Sequence, residues 1–145
     1  MEKKDKAQNN RIIPIFVLVI GVFALILMKH LFIDSSYDRV LLNKVHEINR
    51  SCPVMIDRDT RLDSACVPRH LTLQYDYTMI NALKDSIDII NFHTNLEQSI
   101  LSSIKQNSEL QPYLENKVTI VCHYKDRKGT FITKVSITPE QYRNK

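Results

Sequence analysis

The sequence predicts an α+β fold: an N-terminal transmembrane helix, then a small antiparallel sheet of about three to four strands with two main helices packed on one face. Three observations lead to it. The chain opens with a long apolar segment, a strict apolar–polar alternation follows, and a helical apolar period precedes a C-terminal hairpin. The predicted element order is α-β-β-α-β-β.

The apolar segment is predicted to be a membrane anchor. Residues 12–28 carry no charge, and apolar character extends to Ile33 past Lys29 and His30. At about 1.5 Å per residue, residues 12–33 would span about 33 Å, enough to cross the roughly 30 Å hydrocarbon layer of a lipid bilayer. A cleaved signal peptide is the competing interpretation, but it needs a small-residue cleavage site where this chain has bulky residues.

The charge bias predicts the orientation of this anchor. Residues 1–11 hold four Lys or Arg side chains and form the predicted cytoplasmic tail. Residues 36–145 then form an extracytoplasmic α+β domain, periplasmic or extracellular. We therefore expect a single-pass protein of the bacterial inner membrane, an uncleaved signal-anchor.

Four segments define the predicted domain. Apolar residues at helical spacing indicate helices over 37–50 and 88–106. Residues 71–78 alternate strictly, as in a half-buried strand. Residues 118–137 read as a hairpin that turns at Gly129.

Composition excludes several functions. The chain has two glycines, too few for phosphate-cradling loops or a G-x-S-x-G nucleophile turn. Residues 36–145 carry 15 Lys or Arg against 13 Asp or Glu, so we expect no nucleic-acid partner. No catalytic residue, cofactor or metal site is predicted, because the five histidines form no H-x₃-H or H-E-x-x-H set.

The cysteines leave two interpretations open. Cys52 and Cys66 could form a disulfide across thirteen intervening residues, worth about 3 kcal/mol on the loop-entropy argument, or they could be two free thiols. Cys122 shares a strand face with apolar residues and is predicted to be a buried, inert thiol.

A charged stretch precedes the alternating strand and is the predicted interaction loop. It does not fit a calcium loop, because Arg61, Leu62 and Pro68 stand at three diagnostic positions. A solvated or turn-stabilising charge cluster is the other interpretation. The residues of the predicted loop are Asp57, Arg58, Asp59, Arg61 and Asp63.

Three motifs resemble those of a known group of proteins. Residues 52–63 read CPVMIDRDTRLD, residues 73–78 read LQYDYT, and the hairpin carries YKDRKG at 124–129. Over about residues 40–138 the chain resembles small, uncharacterised bacterial exported or membrane-anchored proteins with a CPxxxDxxTRLD segment and a YxYT strand. The resemblance implies an envelope location and a similar fold but no activity. Further cysteines of that group are absent at 104–106 and 140–142.

The leading hypothesis is a membrane-anchored, non-enzymatic binding or assembly module of the cell envelope, whose partner is another envelope or membrane protein. The predicted interaction loop and the free face of the sheet are the expected contact regions. One alternative is an envelope hydrolase or metal-dependent enzyme that uses Asp57 and Asp59 with His70, His93 or His123. Another is that the helix at 12–33 itself pairs with a membrane partner.

Overall fold

The computed structural model describes Gly21, Val22, Ala24 and residues 37–143. By its internal contacts the chain divides into two units, Met1–Ser36 and Tyr37–Lys145. The second unit carries the fold described below.

The second unit alternates helices and strands. Helix α1 covers residues 37–51. The other helices are α2 (Ile89–Gln106), α3 (Gln111–Glu115) and α4 (Pro139–Arg143), with short 3₁₀ turns at Lys84–Ser86 and Ser108–Leu110. The strands are β1 (Val54–Met55), β2 (Thr60–Arg69), β3 (Thr72–Met79), β4 (Thr119–Asp126) and β5 (Phe131–Ile137).

The five strands form one sheet in chain order, β1-β2-β3-β4-β5. β3 and β4 are parallel, and the other neighbouring pairs are antiparallel. The predicted small antiparallel sheet of about three to four strands with two main helices is therefore wrong: the described sheet is mixed and has five strands, and four helices accompany it. The physical reason is that α2 and α3 form a crossover connection between β3 and β4. This connection returns the chain to the end of the sheet where β3 begins, so that β4 runs parallel to β3.

The predicted transmembrane helix is also corrected. Its segment, residues 12–33, lies outside the described residues except for Gly21, Val22 and Ala24, and so does the predicted cytoplasmic tail at 1–11. Among the residues that the structure does describe, no helix combines the length and the apolar character needed to cross a bilayer. The single-pass and signal-anchor description therefore has no support from the described residues, and it is not retained.

The helices of the second unit pack on one side of the sheet, which we call the covered face. Leu41 and Val45 of α1 pack with Leu73 of β3, all of them buried. Ile104 of α2 and Tyr142 of α4 join a second buried cluster with alternate residues of β4 and β5. Both clusters take their strand residues from this face, so most apolar side chains of the sheet lie there.

The opposite side of the sheet, the open face, follows from the strand registers and the side-chain alternation. Its residues include Met55 of β1; Arg61, Asp63, Ser64 and Cys66 of β2; Gln74, Asp76 and Thr78 of β3; Val121, His123 and Lys125 of β4; and Phe131, Lys134 and Ser136 of β5. Most of these side chains are polar or charged. The described helices leave this face uncovered.

Candidate functional site

The predicted interaction loop is divided between a turn and the sheet. Asp57 and Asp59 lie in the turn between β1 and β2, whereas Arg61 and Asp63 belong to β2. Oδ1 of Asp57 accepts hydrogen bonds from the backbone amides of Asp59 and Thr60, both 2.8 Å long. The bond from Asp59 lowers the pKa of Asp57 most, and the bond from Thr60 adds to it. Asp57 therefore stabilises the turn.

The other turn residues have local roles. Asp59 Oδ1 accepts a hydrogen bond of 2.7 Å from Asn81 Nδ2, and the Asp59 carbonyl accepts one of 2.9 Å from the Ile80 amide. These bonds fasten the β1–β2 turn to the end of β3. Arg58 is exposed. Of the five predicted residues, only Arg61 and Asp63 are brought together on the open face.

Asp63 is the centre of the first polar network on the open face. Its carboxylate accepts hydrogen bonds from Thr78 Oγ1 at 2.5 Å, Arg61 Nε at 2.7 Å and Lys125 Nζ at 3.1 Å. Partial burial opposes ionisation of Asp63, but these three donors outweigh it and hold the pKa of Asp63 below its ordinary value. The network links strands β2, β3 and β4.

Asp76 is the centre of a second network beside the first. It accepts hydrogen bonds from Ser64 Oγ at 3.2 Å and Gln74 Nε2 at 2.9 Å. Nδ1 of His123 lies 3.3 Å from Asp76 Oδ1, and the His123 ring stacks on Phe131 with 5.1 Å between ring centroids. The second network thus extends to β5 and ends at an aromatic ring that is 47% exposed.

The histidines do not assemble with the turn aspartates. Nδ1 of His70 lies 2.7 Å from Asp38, His93 lies 2.8 Å from Thr133, and His123 contacts Asp76. Within the described ranges, no group of three His, Cys, Asp or Glu side chains is placed to hold a metal ion. The contacts therefore give no support to a metal-dependent or hydrolytic site built on Asp57 and Asp59.

Cys52 and Cys66 are free thiols in the structure, and the disulfide between them stays a prediction. Burial raises the pKa of Cys52, with a smaller contribution from Asp63. Burial also raises the pKa of Cys66, with Asp76 as the charged neighbour. The two thiols thus lie beside different carboxylates.

Cys122 lies on the covered face, 5% exposed, and burial raises its pKa to about 12. A thiol with so high a pKa forms little thiolate at neutral pH, and the thiolate is the reactive form. The structure therefore agrees with the inert thiol predicted from the sequence.

The free face of the sheet was predicted as a contact region, but its residues were not predicted. Asp76, Lys125 and Phe131 were not predicted as site residues, and His123 was named only as a candidate histidine of a metal-dependent or hydrolytic enzyme. The sequence does contain a signal for their side of the sheet. Asp76 alternates with the apolar residues of its strand, and His123 and Lys125 alternate with those of theirs, which indicates the face opposite the apolar one. Their convergence depends on the parallel pairing of β3 with β4, which the alternation does not show.

Three solved structures are similar to this fold. A protein from Pseudomonas aeruginosa thought to be secreted is similar, with a TM-score of 0.63 at 12% identity, covering 76% of this chain and 96% of that one. The pilotin EpsS of the type 2 secretion system of Vibrio vulnificus gives 0.63 at 7% identity, covering 77% and 96%. The type II secretion system pilotin AspS of Vibrio cholerae gives 0.58 at 12% identity, covering 74% and 94%.

At these identities the similarity shows a shared fold. The predicted single-pass inner-membrane location gains no support from these structures or from the described residues, and it is not retained. No sequence relative was found among curated proteins. A family model matches residues 35–132, well over half of the chain, and the chain therefore belongs to the family described as Domain of unknown function (DUF8479).

Proposed function

We propose that this chain is a non-enzymatic binding and assembly module of the bacterial cell envelope, which holds a partner protein on the open face of its sheet. The observation that carries the proposal is the one-sided packing of the second unit. The described helices use the apolar residues of the covered face, while the open face presents two polar networks and the exposed ring of Phe131. A polar surface with an exposed aromatic residue is typical of transient protein interfaces.

The comparisons support an assembly role in the envelope. Two of the similar structures are pilotins of type II secretion systems, which are assemblies of the cell envelope. The resemblance of residues 52–63 and 73–78 to exported bacterial proteins points to the same compartment. The partner is accordingly another envelope protein.

Copurification from the envelope fraction of the source cell tests this proposal. The tagged full-length chain is compared with Phe131→Ser, which alters the open face, and with Ile90→Ser, which alters an exposed apolar residue of α2. Phe131 is 47% exposed and Ile90 is 80% exposed, so neither substitution removes a buried core residue.

We expect a discrete envelope protein to copurify with the wild type and with Ile90→Ser, and to be at least fivefold depleted with Phe131→Ser. Equal recovery with both variants, or a loss confined to Ile90→Ser, would contradict an interface on the open face. Circular dichroism of each variant checks that the fold is retained.

A further inference from the structure

One row of side chains crosses the open face from edge to edge. The strand registers align Met55 with Arg61, Arg61 with Thr78, Thr78 with Lys125, and Lys125 with Phe131. We call these five residues the transverse row. Four steps between strands of about 4.8 Å each separate its ends by about 19 Å.

The transverse row has apolar ends and a cationic middle. Met55 is 45% exposed at one edge of the sheet, and Phe131 is 47% exposed at the other. Between them the side chains of Arg61 and Lys125 are 41% and 35% exposed, while Thr78 is buried. The row therefore offers solvent two apolar anchors with two cations between them.

The carboxylates of the open face lie deeper than these cations. The side chain of Asp63 is 15% exposed and that of Asp76 is 23% exposed. Donors on the same face already occupy both: Thr78, Arg61 and Lys125 for Asp63, and Ser64 and Gln74 for Asp76. The cations are therefore the more exposed members of these ion pairs, and Arg and Lys side chains each carry more N–H donors than one bond to Asp63 uses.

A neighbouring position on β5 adds to this cationic character. Lys134 pairs in register with His123 and is exposed. The cations Arg61, Lys125 and Lys134 thus outnumber the carboxylates Asp63 and Asp76 on the open face, although the domain as a whole is close to neutral. This local excess gives the face a complementary charge for an acidic partner.

We infer that the transverse row binds an acidic peptide segment of the partner protein, with an apolar side chain at each end of the segment. Resting on the proposed function, this inference names the chemistry of its partner. The apolar side chains of the segment contact Met55 and Phe131, and its carboxylates pair with Arg61 and Lys125. Across about 19 Å, the two apolar residues are about six positions apart in an extended segment or about thirteen in a helix.

An anionic membrane surface would also attract these cations, but it fits the face less well. Asp63 and Asp76 would be pressed against headgroups of like charge, whereas a peptide can place its carboxylates only where the cations are. The two exposed apolar residues also stand at opposite edges of the sheet, so they do not form one patch that could insert into lipid.

Fluorescence anisotropy with labelled peptides tests the inference on the full-length chain. In one acidic probe two leucines lie six positions apart, in the other they lie thirteen positions apart, and glutamates fill the positions between them. Each acidic probe has a basic control peptide, called its basic twin, in which lysines replace the glutamates. The test variant is Arg61→Gln with Lys125→Gln. Its matched control, Lys105→Gln with Lys117→Gln, removes the same charge from exposed positions outside the open face.

We expect at least one acidic probe to bind and both basic twins to bind at least tenfold more weakly. Losing two partly exposed ion pairs should reduce the affinity for the acidic probe about tenfold in the test variant and leave the control variant unchanged. Phe131→Ser, which leaves every charge in place, should weaken binding as well. Rising salt should weaken binding to the wild type.

Three results would overturn the inference: equal binding of acidic and basic probes, unchanged binding by the test variant, or no binding of either acidic probe. Cosedimentation with phosphatidylglycerol vesicles that depends on Arg61 and Lys125, without peptide binding, would assign the face to a membrane instead. If copurification depends on Phe131 but neither acidic probe binds, the proposed function stands and only the inference of an acidic partner segment is rejected. If copurification is insensitive to Phe131, the proposed function itself fails.

Discussion

The hydrogen bond between Asp63 and Thr78 should hold the open face together, and a double-mutant cycle can measure its contribution. Thr78 is 5% exposed, so Asp63→Ala leaves its hydroxyl buried without this acceptor, at a cost of about 1–3 kcal/mol. The ion pairs of Asp63 with Arg61 and Lys125 add little, about 0–1 kcal/mol each, because both cations are partly exposed to solvent. We therefore expect Asp63→Ala to lower the free energy of unfolding by about 2–3 kcal/mol.

The cycle adds Thr78→Val and the double variant. Replacing both partners by apolar groups removes the buried hydroxyl together with its acceptor, so the double variant should be more stable than the two single losses predict. We expect a coupling free energy of about 1–2 kcal/mol from urea unfolding at pH 7. Asp85→Ala, at an exposed carboxylate, is the control and should change stability by less than about 0.5 kcal/mol.

The pH dependence of the same variants gives a second readout. The pKa of folded Asp63 lies below the ordinary value of 3.8, so its stabilisation is fully present above that value and is lost as pH falls through the folded pKa. The stability difference between wild type and Asp63→Ala should therefore be constant from pH 7 to about pH 4 and shrink below it. A coupling below about 0.3 kcal/mol, or a difference independent of pH, would refute the reasoning.

Three further predictions concern the rest of the domain. Leu41→Ala should cost about 2–5 kcal/mol in urea unfolding, and Leu42→Ala less than about 1 kcal/mol, because Leu41 is 0% exposed and Leu42 is 53% exposed; equal losses would contradict the packing of α1. Lys117→Gly should raise stability by up to about 1 kcal/mol, since Lys117 has a φ of 58°, and a clear loss would argue against that backbone. At pH 8, alkylation of Cys122 should be at least about 100-fold slower than that of Cys66, and similar rates would show that Cys122 is not buried.

The sequence identified the elements that have a simple period. The alternation at 71–78 located β3, and the helical spacing of apolar residues located α2. It missed β2, because charges crowd its first half and a register shift between Leu62 and Ser64 interrupts its pairing with β3. An irregular strand of this kind has no clean period of two.

The open face was harder to predict than any single strand. Arg61 and Asp63 are two residues apart and were identified together, but Lys125 reaches Asp63 only because β4 runs parallel to β3. The apolar ends of the transverse row, Met55 and Phe131, lie on strands at opposite edges of the sheet. Such a register depends on long-range packing, which local patterns do not encode.

Site-specific photocrosslinking in the source cell tests the central claim, that the open face is the binding surface, most directly. A photoreactive amino acid is placed at Lys134 on the open face or at Ser102 on α2, two exposed positions on opposite sides of the sheet. We predict a discrete crosslinked envelope protein from Lys134 and none above background from Ser102. A crosslink of equal yield from both positions, or one from Ser102 alone, would contradict the account.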